Sequence, residues 1–207
     1  MNKRAAAGIA VILLGLALAG AGLGVYLSQE KQDAAAGNSA DRLWEDFMTA
    51  ADPDHRVPPN KNDGDSGNQS TETGEDMAVL TLDGYDVVGV LTVPKLNINL
   101  PILSQWDYTL LKIAPCRYSG TAQGGDLILL GHNYKSHFRP LGELVPGDEV
   151  TFTAADGTVY RYAVALVETL HKSESERLPS DYALSVFTCT PGGANRIVVR
   201  CSLMEEE

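Results

Sequence analysis

A run of uncharged, mostly apolar residues near the N-terminus limits the architecture of this chain more than any other feature. It extends from Ala5 to Leu27. As an α-helix it would rise about 34 Å, against about 30 Å for the hydrocarbon core of a bilayer. Lys3 and Arg4 precede the run, and acidic sequence follows it. The positive-inside rule then predicts a cytoplasmic tail at residues 1–4, a membrane anchor at 5–27 and an extracellular remainder.

The same segment has an alternative interpretation as a cleaved signal peptide. The sequence Ala17-Leu18-Ala19 has the small residues of a cleavage site. Apolar residues continue for eight positions beyond Ala19, however, which is unusual for a cleaved signal. The length therefore favours a single-pass protein of the cell membrane.

The sequence after the anchor divides into three segments of different composition. Residues 28–51 carry four large apolar side chains at helical spacing, Leu43, Trp44, Phe47 and Met48. They predict a helical stalk, or a helix packed on the domain that follows. Residues 52–76 are rich in Asn, Asp, Gly, Ser and Thr. Such a composition cannot bury enough apolar surface to offset its ordering entropy, so it predicts a flexible linker.

Residues 77–207 have the pattern of an all-β domain. Seven short β-rich runs are separated by Gly, Pro, Asn and Asp, at 87–93, 100–103, 126–130, 149–153, 158–167, 184–189 and 196–203. In the longest run apolar and polar positions alternate with the period of two that a strand requires. Only 108–114 and 138–144 favour helix. We therefore expect a closed or nearly closed β-barrel of seven or eight strands, with one or two short helices.

The charge balance excludes one class of partner. The chain has 16 basic and 27 acidic residues, a formal net charge of −11. A surface this acidic repels phosphate backbones, so we expect no nucleic-acid binding. No Cys/His spacing suggests a structural zinc site, and His132 and His137 lack a third ligand of matching spacing. We therefore predict no metal site.

Cys189 is the best placed of the three cysteines for chemistry. It ends an apolar strand and is followed by the turn sequence Thr190-Pro191-Gly192-Gly193, which favours the rim of a barrel. The alternative is a small buried hydrophobe, the usual role of a free cysteine. That role is expected for Cys201, which shares a strand face with apolar residues. The sequence leaves open the role of Cys116, including a disulfide with Cys201.

Two other side chains are expected near this thiol. The residues between Cys189 and Arg196 are turn formers, so the two residues face each other across a hairpin with Cβ atoms about 5 Å apart. Arg200 lies about 13 Å further along the strand and is expected to be a structural or solvated charge. His132 stands at the end of another apolar strand. A thiol, an imidazole and a guanidinium can supply a nucleophile, a general acid/base and an oxyanion donor.

From about Val88 to Leu203 these motifs resemble the sortases of Gram-positive cell surfaces. The resemblance rests on four stretches: Val90-Leu91-Thr92-Val93-Pro94-Lys95 with Leu100-Pro101-Ile102, Ser119-Gly120-Thr121 with Asp126 to Asn133, Phe187-Thr188-Cys189-Thr190-Pro191, and Arg196-Ile197-Val198-Val199-Arg200. Each stretch is short. Their order of His, then Cys, then Arg, together with the N-terminal anchor, makes the combination specific, whereas papain-like proteases place Cys before His.

The resemblance implies a cysteine transpeptidase with Cys189 as nucleophile, His132 as general acid/base, Arg196 as oxyanion stabiliser and Thr188 in the substrate groove. Such an enzyme would cut a Leu-Pro-x-Thr-Gly-like sorting signal between Thr and Gly. It would form a thioester and pass the acyl group to an amine of a cell-wall precursor or a pilin. No cofactor is expected; some sortases bind calcium, and Glu143 and Asp148 are the carboxylates available here. The sortase subclass stays open.

Two alternative functions share these features. One is a purely hydrolytic cysteine peptidase, in which water replaces the amine as acceptor. The other is a catalytically inactive, membrane-tethered β-barrel that binds wall peptides and has no need of Cys189. Thiol reactivity and product analysis distinguish the three.

Overall fold

A computed structural model describes residues 3–51 and 77–204 of the protein, with side chains described for 13–50 and 77–204. The flexible linker predicted at 52–76 lies outside the described residues.

The N-terminal part of the chain forms one long helix, α1, from Lys3 to Ala51. It is continuous through both the predicted anchor and the predicted stalk. The large apolar side chains between Leu13 and Leu27 are exposed. By length and composition the helix can cross a membrane. The division into tail, anchor and stalk stays a prediction.

The second half of α1 packs against the domain. Its buried residues, Ala36, Ala40, Leu43 and Phe47, are at most 2% exposed. Their intervals of four, three and four residues place them in one stripe along the helix. Met48 points away from the domain and is 51% exposed. Of the two arrangements the sequence allowed for this segment, a free stalk or a packed helix, the structure has the packed one.

Nine strands follow in the described part of the chain. They are β1 (Leu80–Leu82), β2 (Tyr85–Val93), β3 (Ile98–Leu103), β4 (Cys116–Ser119), β5 (Leu127–Gly131), β6 (Glu149–Ala154), β7 (Val159–His171), β8 (Leu184–Cys189) and β9 (Asn195–Leu203). Short 3₁₀ helices lie between them at Pro94–Leu96, Leu110–Lys112, Arg139–Glu143 and Ser175–Arg177.

Eight of these strands close into a barrel. The order is β2-β3-β4-β5-β8-β9-β7-β6, and β6 pairs back onto β2, while β1 pairs with β2 outside the ring. The β3–β4 and β5–β8 pairs are parallel and the others are antiparallel. At the closure a Cβ on Gly89 would lie 2.3 Å from the carbonyl oxygen of Thr153, so only glycine permits this approach of β2 to β6. Closure removes the free edges that an open sheet would expose.

Two apolar clusters lie on opposite faces of the barrel wall. The first fills the interior with residues such as Leu127 and Leu129 of β5. The second uses the alternate positions of the same strand, Ile128 and Leu130. On this outer face it is covered by α1 and by the segment before β4 through three side chains, Leu43, Phe47 and Leu111.

The predicted all-β barrel is confirmed. Each of the seven predicted runs corresponds to a strand, with ends displaced by up to four residues. The two strands that the sequence did not predict, β1 and β4, are only three and four residues long. Both segments predicted as short helices contain a 3₁₀ turn instead of α-helix.

Replacing Phe47 tests the packing of α1 on the barrel. Phe47 is 1% exposed, so Phe47→Ala should lower the free energy of unfolding of the full chain in detergent by about 3–5 kcal/mol. Met48→Ala is the matched control on the exposed face, and we expect it to change that free energy by no more than about 0.5 kcal/mol. Denaturant titration measures both. Equal effects would show that the helix is not packed as described.

Candidate active site

The ends of three neighbouring strands meet at one rim of the barrel. Strands β5 and β8 are parallel, with Gly131 beside Thr188. Strands β8 and β9 are antiparallel, with Cys189 opposite Arg196. His132 follows Gly131 directly, so it lies at the level of Cys189 on the other side of β8 from Arg196. Adjacent strands are about 4.8 Å apart, and opposed Cβ atoms about 5 Å, so the register brings the predicted thiol, imidazole and guanidinium into one neighbourhood.

Cys189 and Arg196 share the outer face of the wall. Cys189 alternates with Phe187 on β8, and Arg196 with Val198 on β9, and both of these neighbours belong to the outer apolar cluster. His132, Cys189 and Arg196 are all half-buried. A partly exposed thiol on a barrel rim is open to a substrate from outside. The roles assigned to these residues stay predictions.

The other two cysteines are in different surroundings. Cys116 and Cys201 are both completely buried, and all three cysteines are free. Burial raises the pKa of Cys201 to about 12, and burial together with the charge of Asp107 raises the pKa of Cys116 to about 12. The expected core position of Cys201 is therefore found. Since Cys116 belongs to the outer cluster and Cys201 to the inner one, the barrel wall separates them.

Arg196, on the strand position opposite Cys189, has an unpaired hydrogen-bonding group. Its Nη1 atom is buried, and it has no hydrogen-bond partner in the part of the chain that the structure describes. A buried donor left unpaired costs about 1–3 kcal/mol, so such a group calls for an explanation. An oxygen atom held next to Cys189 would provide the missing partner.

Arg200 differs from Arg196 although it lies on the same strand and face. It is 2% exposed, and its Nε donates to Oε1 of Glu168 at 3.0 Å. Its Nη1 donates to the hydroxyl of Ser185 at 2.9 Å. The remaining contacts fasten the connection between β7 and β8 through Arg177, Leu178 and Ser180. Of the two roles the sequence allowed, this is the structural one.

Thr188 connects the two strands that carry the predicted acid/base and nucleophile. Its side chain is fully buried, and its hydroxyl donates to the carbonyl oxygen of Gly131 at 2.9 Å. The bond holds the end of β8 to the end of β5, directly before Cys189 and His132. Its predicted part in the substrate groove stays a prediction.

Gly131 allows an aromatic ring to pack directly before His132. A Cβ at this position would lie 2.5 Å from the ring of Phe138, which is fully buried. The backbone N–H of Phe138 also donates to the carbonyl of His132 at 3.3 Å. The chain after His132 therefore folds back onto the strand end.

The electrostatic surroundings of His132 favour its neutral form. Burial lowers its pKa below the ordinary 6.5, and the positive charge of Lys112 lowers it further. Lys112 belongs to the segment between β3 and β4, and nothing in the sequence pattern placed it near His132. At neutral pH the imidazole is therefore able to accept a proton.

The other histidines differ from His132 in burial and partners. His137 is fully buried, whereas His171 is exposed at the end of β7, where it pairs with Asn195 and its ring bonds to the hydroxyl of Ser173. His55 lies outside the described residues. Within 3–51 and 77–204 no three His, Cys, Asp or Glu side chains converge as metal ligands. Asp148, one of the two carboxylates considered for calcium, accepts from Nζ of Lys95 at 2.7 Å.

An aromatic path leads away from the site and was not predicted. Phe187 packs edge-on to Tyr118 with ring centroids 5.4 Å apart. Tyr118 stacks on Trp106 at 5.6 Å, and Trp106 is 41% exposed. The three rings come from separate segments, so no local pattern in the sequence could show this contact.

Comparisons with known proteins agree with the geometry. A family model described as the Sortase domain matches residues 91–204. Sortase A from Corynebacterium diphtheriae superposes with a TM-score of 0.54 at 21% identity, over 59% of this chain and 63% of that one. Sortase C1 from Streptococcus agalactiae gives 0.53 at 26%, over 61% and 72%.

A sortase D5 transpeptidase from Clostridium perfringens gives a TM-score of 0.52 at 22% identity, over 58% of this chain and 80% of that one. Sortases of classes A, C and D therefore match about equally well. The comparison with curated protein sequences found no match.

Thiol labelling tests the different surroundings of the cysteines. In the native full chain at pH 8, iodoacetamide should modify Cys189 and leave Cys116 and Cys201 unmodified, because burial keeps those two thiols protonated and inaccessible. Mass spectrometry of peptides gives the position of the label. The denatured chain, in which all three thiols should react, is the control. Native labelling of Cys201 at the rate of Cys189 would contradict the assignment.

Replacing Lys112 tests the electrostatics at His132. Because the charge of Lys112 lowers the pKa of His132, Lys112→Gln should raise that pKa. A histidine NMR titration of the full chain in micelles measures the change. Lys135→Gln, at an exposed lysine three residues beyond His132, is the control. It should change the pKa of His132 less than Lys112→Gln does. A fall or no change in Lys112→Gln would be evidence against this arrangement.

Proposed function

Because the chain belongs to the sortase family, we propose that it is a cysteine transpeptidase that cuts a sorting signal and transfers it to an amine. The observation that carries the assignment of roles is the unpaired Nη1 of Arg196 on the strand position opposite Cys189. An oxygen atom bound at this position would pair with the donor, and the negative oxygen of a tetrahedral intermediate would pair with it most strongly.

In the proposed first step, Cys189 attacks the carbonyl carbon of the scissile peptide bond. Neutral His132 accepts the thiol proton as the S–C bond forms. The electron pair of the C=O bond moves onto oxygen, and the guanidinium of Arg196 donates hydrogen bonds to this oxyanion. Collapse of the intermediate breaks the C–N bond, and the departing amine takes its proton from His132. A thioester on Cys189 remains.

In the second step the acceptor amine attacks the thioester. His132 takes a proton from the attacking nitrogen, and Arg196 stabilises the second oxyanion. The C–S bond then breaks, and the sulfur leaves and recovers its proton from His132. The proposed chemistry needs no cofactor, because side chains of this chain fill every role.

The substrate assignment rests on the family. We propose a Leu-Pro-x-Thr-Gly-like donor cut between Thr and Gly, and an acceptor amine of a cell-wall precursor or a pilin. Thr188 would help to shape the groove from the buried side, through its bond to Gly131. The apolar half of α1 supports a membrane anchor. Lys3 and Arg4 before it support a cytoplasmic N-terminus and a barrel outside the cell.

Peptide turnover with single variants tests the proposal. The full chain in detergent should convert a Leu-Pro-x-Thr-Gly peptide and triglycine into a transfer product. Cys189→Ala should abolish turnover, and Arg196→Ala should lower the rate about a hundredfold or more. Arg161→Ala, at an exposed arginine on β7, is the control for loss of a positive charge and should keep nearly full activity. Mass spectrometry identifies the products.

The alternatives give other products. A hydrolytic peptidase would release the free acid at the same rate with and without triglycine. An inactive binding protein would leave the peptide intact, although it could still bind it. Equal losses in Arg196→Ala and Arg161→Ala would rule out the assigned role of Arg196. A library of peptide substrates then defines the motif.

A further inference from the structure

The segment that follows His132 is bound to helix α1. This segment, residues 133–139, is called the His132 loop below. Asp33 of α1 accepts from the backbone N–H of Lys135 at 2.8 Å. The backbone carbonyl of Asp33 accepts from the hydroxyl of Ser136 at 2.9 Å. The Asp33 carboxylate also pairs with Nη2 of Arg139 at 3.2 Å. One helical residue thus holds the loop at three points.

The ion pair continues to the residue next to His132. Nη2 of Arg139 donates to the backbone carbonyl of Asn133 at 3.0 Å, and its Nε donates to the same oxygen at 3.2 Å. Asn133 is covalently bound to His132. The connection from Asp33 through Arg139 to Asn133 therefore fixes the backbone on the C-terminal side of the imidazole.

Contacts between three tilted rings make a second connection. The ring of Tyr134 lies 4.8 Å from that of His132 and 5.4 Å from that of His137, centroid to centroid. The Tyr134 hydroxyl reaches Oε1 of Gln32 on α1 at 3.5 Å. His137 is fully buried. Tyr134 thus lies between the predicted acid/base and the side of the loop that faces the helix.

Small residues on α1 allow the loop to come this close. Ala36 and Ala40 are at most 1% exposed. A Cβ on Gly37 would lie only 3.1 Å from Cβ of Ser136. This contact is tight enough that the serine would have to shift. The helix face is therefore shaped to the His132 loop and adds close packing to the hydrogen bonds.

We propose that α1 is a positioning element of the active site: Asp33 fixes the His132 loop, and the loop in turn holds the ring of Tyr134 against the imidazole of His132. Asp33 and Tyr134 are then positioning residues that act through His132 and have no contact with substrate. The inference rests on the proposed role of His132 as acid/base. It assigns to the helix that leads from the membrane a part in the chemistry as well as in anchoring.

The test compares replacements at Asp33 with one at Asp41 in the full chain in detergent. Asp33→Ala removes the acceptor for the Lys135 N–H and the partner of Arg139, so kcat should fall about tenfold, with KM within about twofold of wild type. Asp33→Asn retains an oxygen that can accept the N–H and should recover most of that loss. Asp41→Ala removes an equal charge from an exposed position of the same helix and should keep wild-type kcat.

Tyr134 provides an independent pair of variants. Tyr134→Phe keeps the ring that packs on His132 and should retain kcat within about twofold, whereas Tyr134→Ala removes the ring and should match Asp33→Ala. Denaturant midpoints show whether each variant is folded. If Asp33→Ala and Tyr134→Ala are both folded and lower kcat equally, the loss cannot come from misfolding at only one of the two positions.

A measurement without substrate separates this inference from the proposed function. A histidine NMR titration of the full chain in micelles follows the protonation of His132. Burial holds the pKa of His132 below its ordinary value, so if the imidazole is displaced towards solvent, its titration midpoint should rise in Asp33→Ala and Tyr134→Ala only. Unchanged midpoints in these two variants, or equal shifts in Asp41→Ala, would overturn the inference. Shifted midpoints would support it even if the wild type turned over no sorting peptide, a result that counts against the transpeptidase assignment alone.

Discussion

The site depends on the pairing register of β8 with its two neighbours. One side of β8 is parallel to β5 and the other is antiparallel to β9, so a residue at its end has a neighbour from each strand at the same level. A slip of one residue would turn Cys189 into the barrel interior and Thr188 outward. The hydrogen bond from Thr188 to Gly131 and the filled interior oppose that slip. The positions of Cys189, His132 and Arg196 are therefore held by contacts of other residues, namely this hydrogen bond and the apolar interior.

Two arginines on β9, Arg200 and Arg196, differ in their hydrogen-bond partners. Arg200 has carboxylate, hydroxyl and carbonyl partners and binds the β7–β8 connection to the wall. Arg196 lies at the rim with part of its guanidinium unpaired. An unpaired buried donor lowers stability, and the two apolar clusters offset that cost. The strand is thus held by a fully paired arginine at one end and carries an unpaired donor at the other.

The parts of the site that could be predicted are those set by local pattern. The turn residues between Cys189 and Arg196 predict a hairpin, and a hairpin alone makes the two residues neighbours. The strand before His132 was recognisable, although its parallel pairing with β8 was not, because residues far apart in sequence form it. Strands β1 and β4 are too short to give a periodic signal. The sequence allowed α1 to pack through Leu43 and Phe47, but its contact with the segment after His132 was hidden, because Ala36, Gly37 and Ala40 resemble an ordinary helix surface.

The docking of α1 also fixes the distance between the barrel and the apolar half of the helix. Asp33 lies six residues beyond Leu27, where the apolar run ends, which is about 9 Å along the helix axis. The 25 residues between Ala51 and Met77 join two elements that already touch. Lengthening that segment would therefore leave the distance from the apolar run to the barrel unchanged, whereas inserting a turn of helix before Asp33 would increase it by about 5 Å. A bilayer that held the apolar run would thus hold the barrel at a height set by the length of the helix and not by the 25-residue segment.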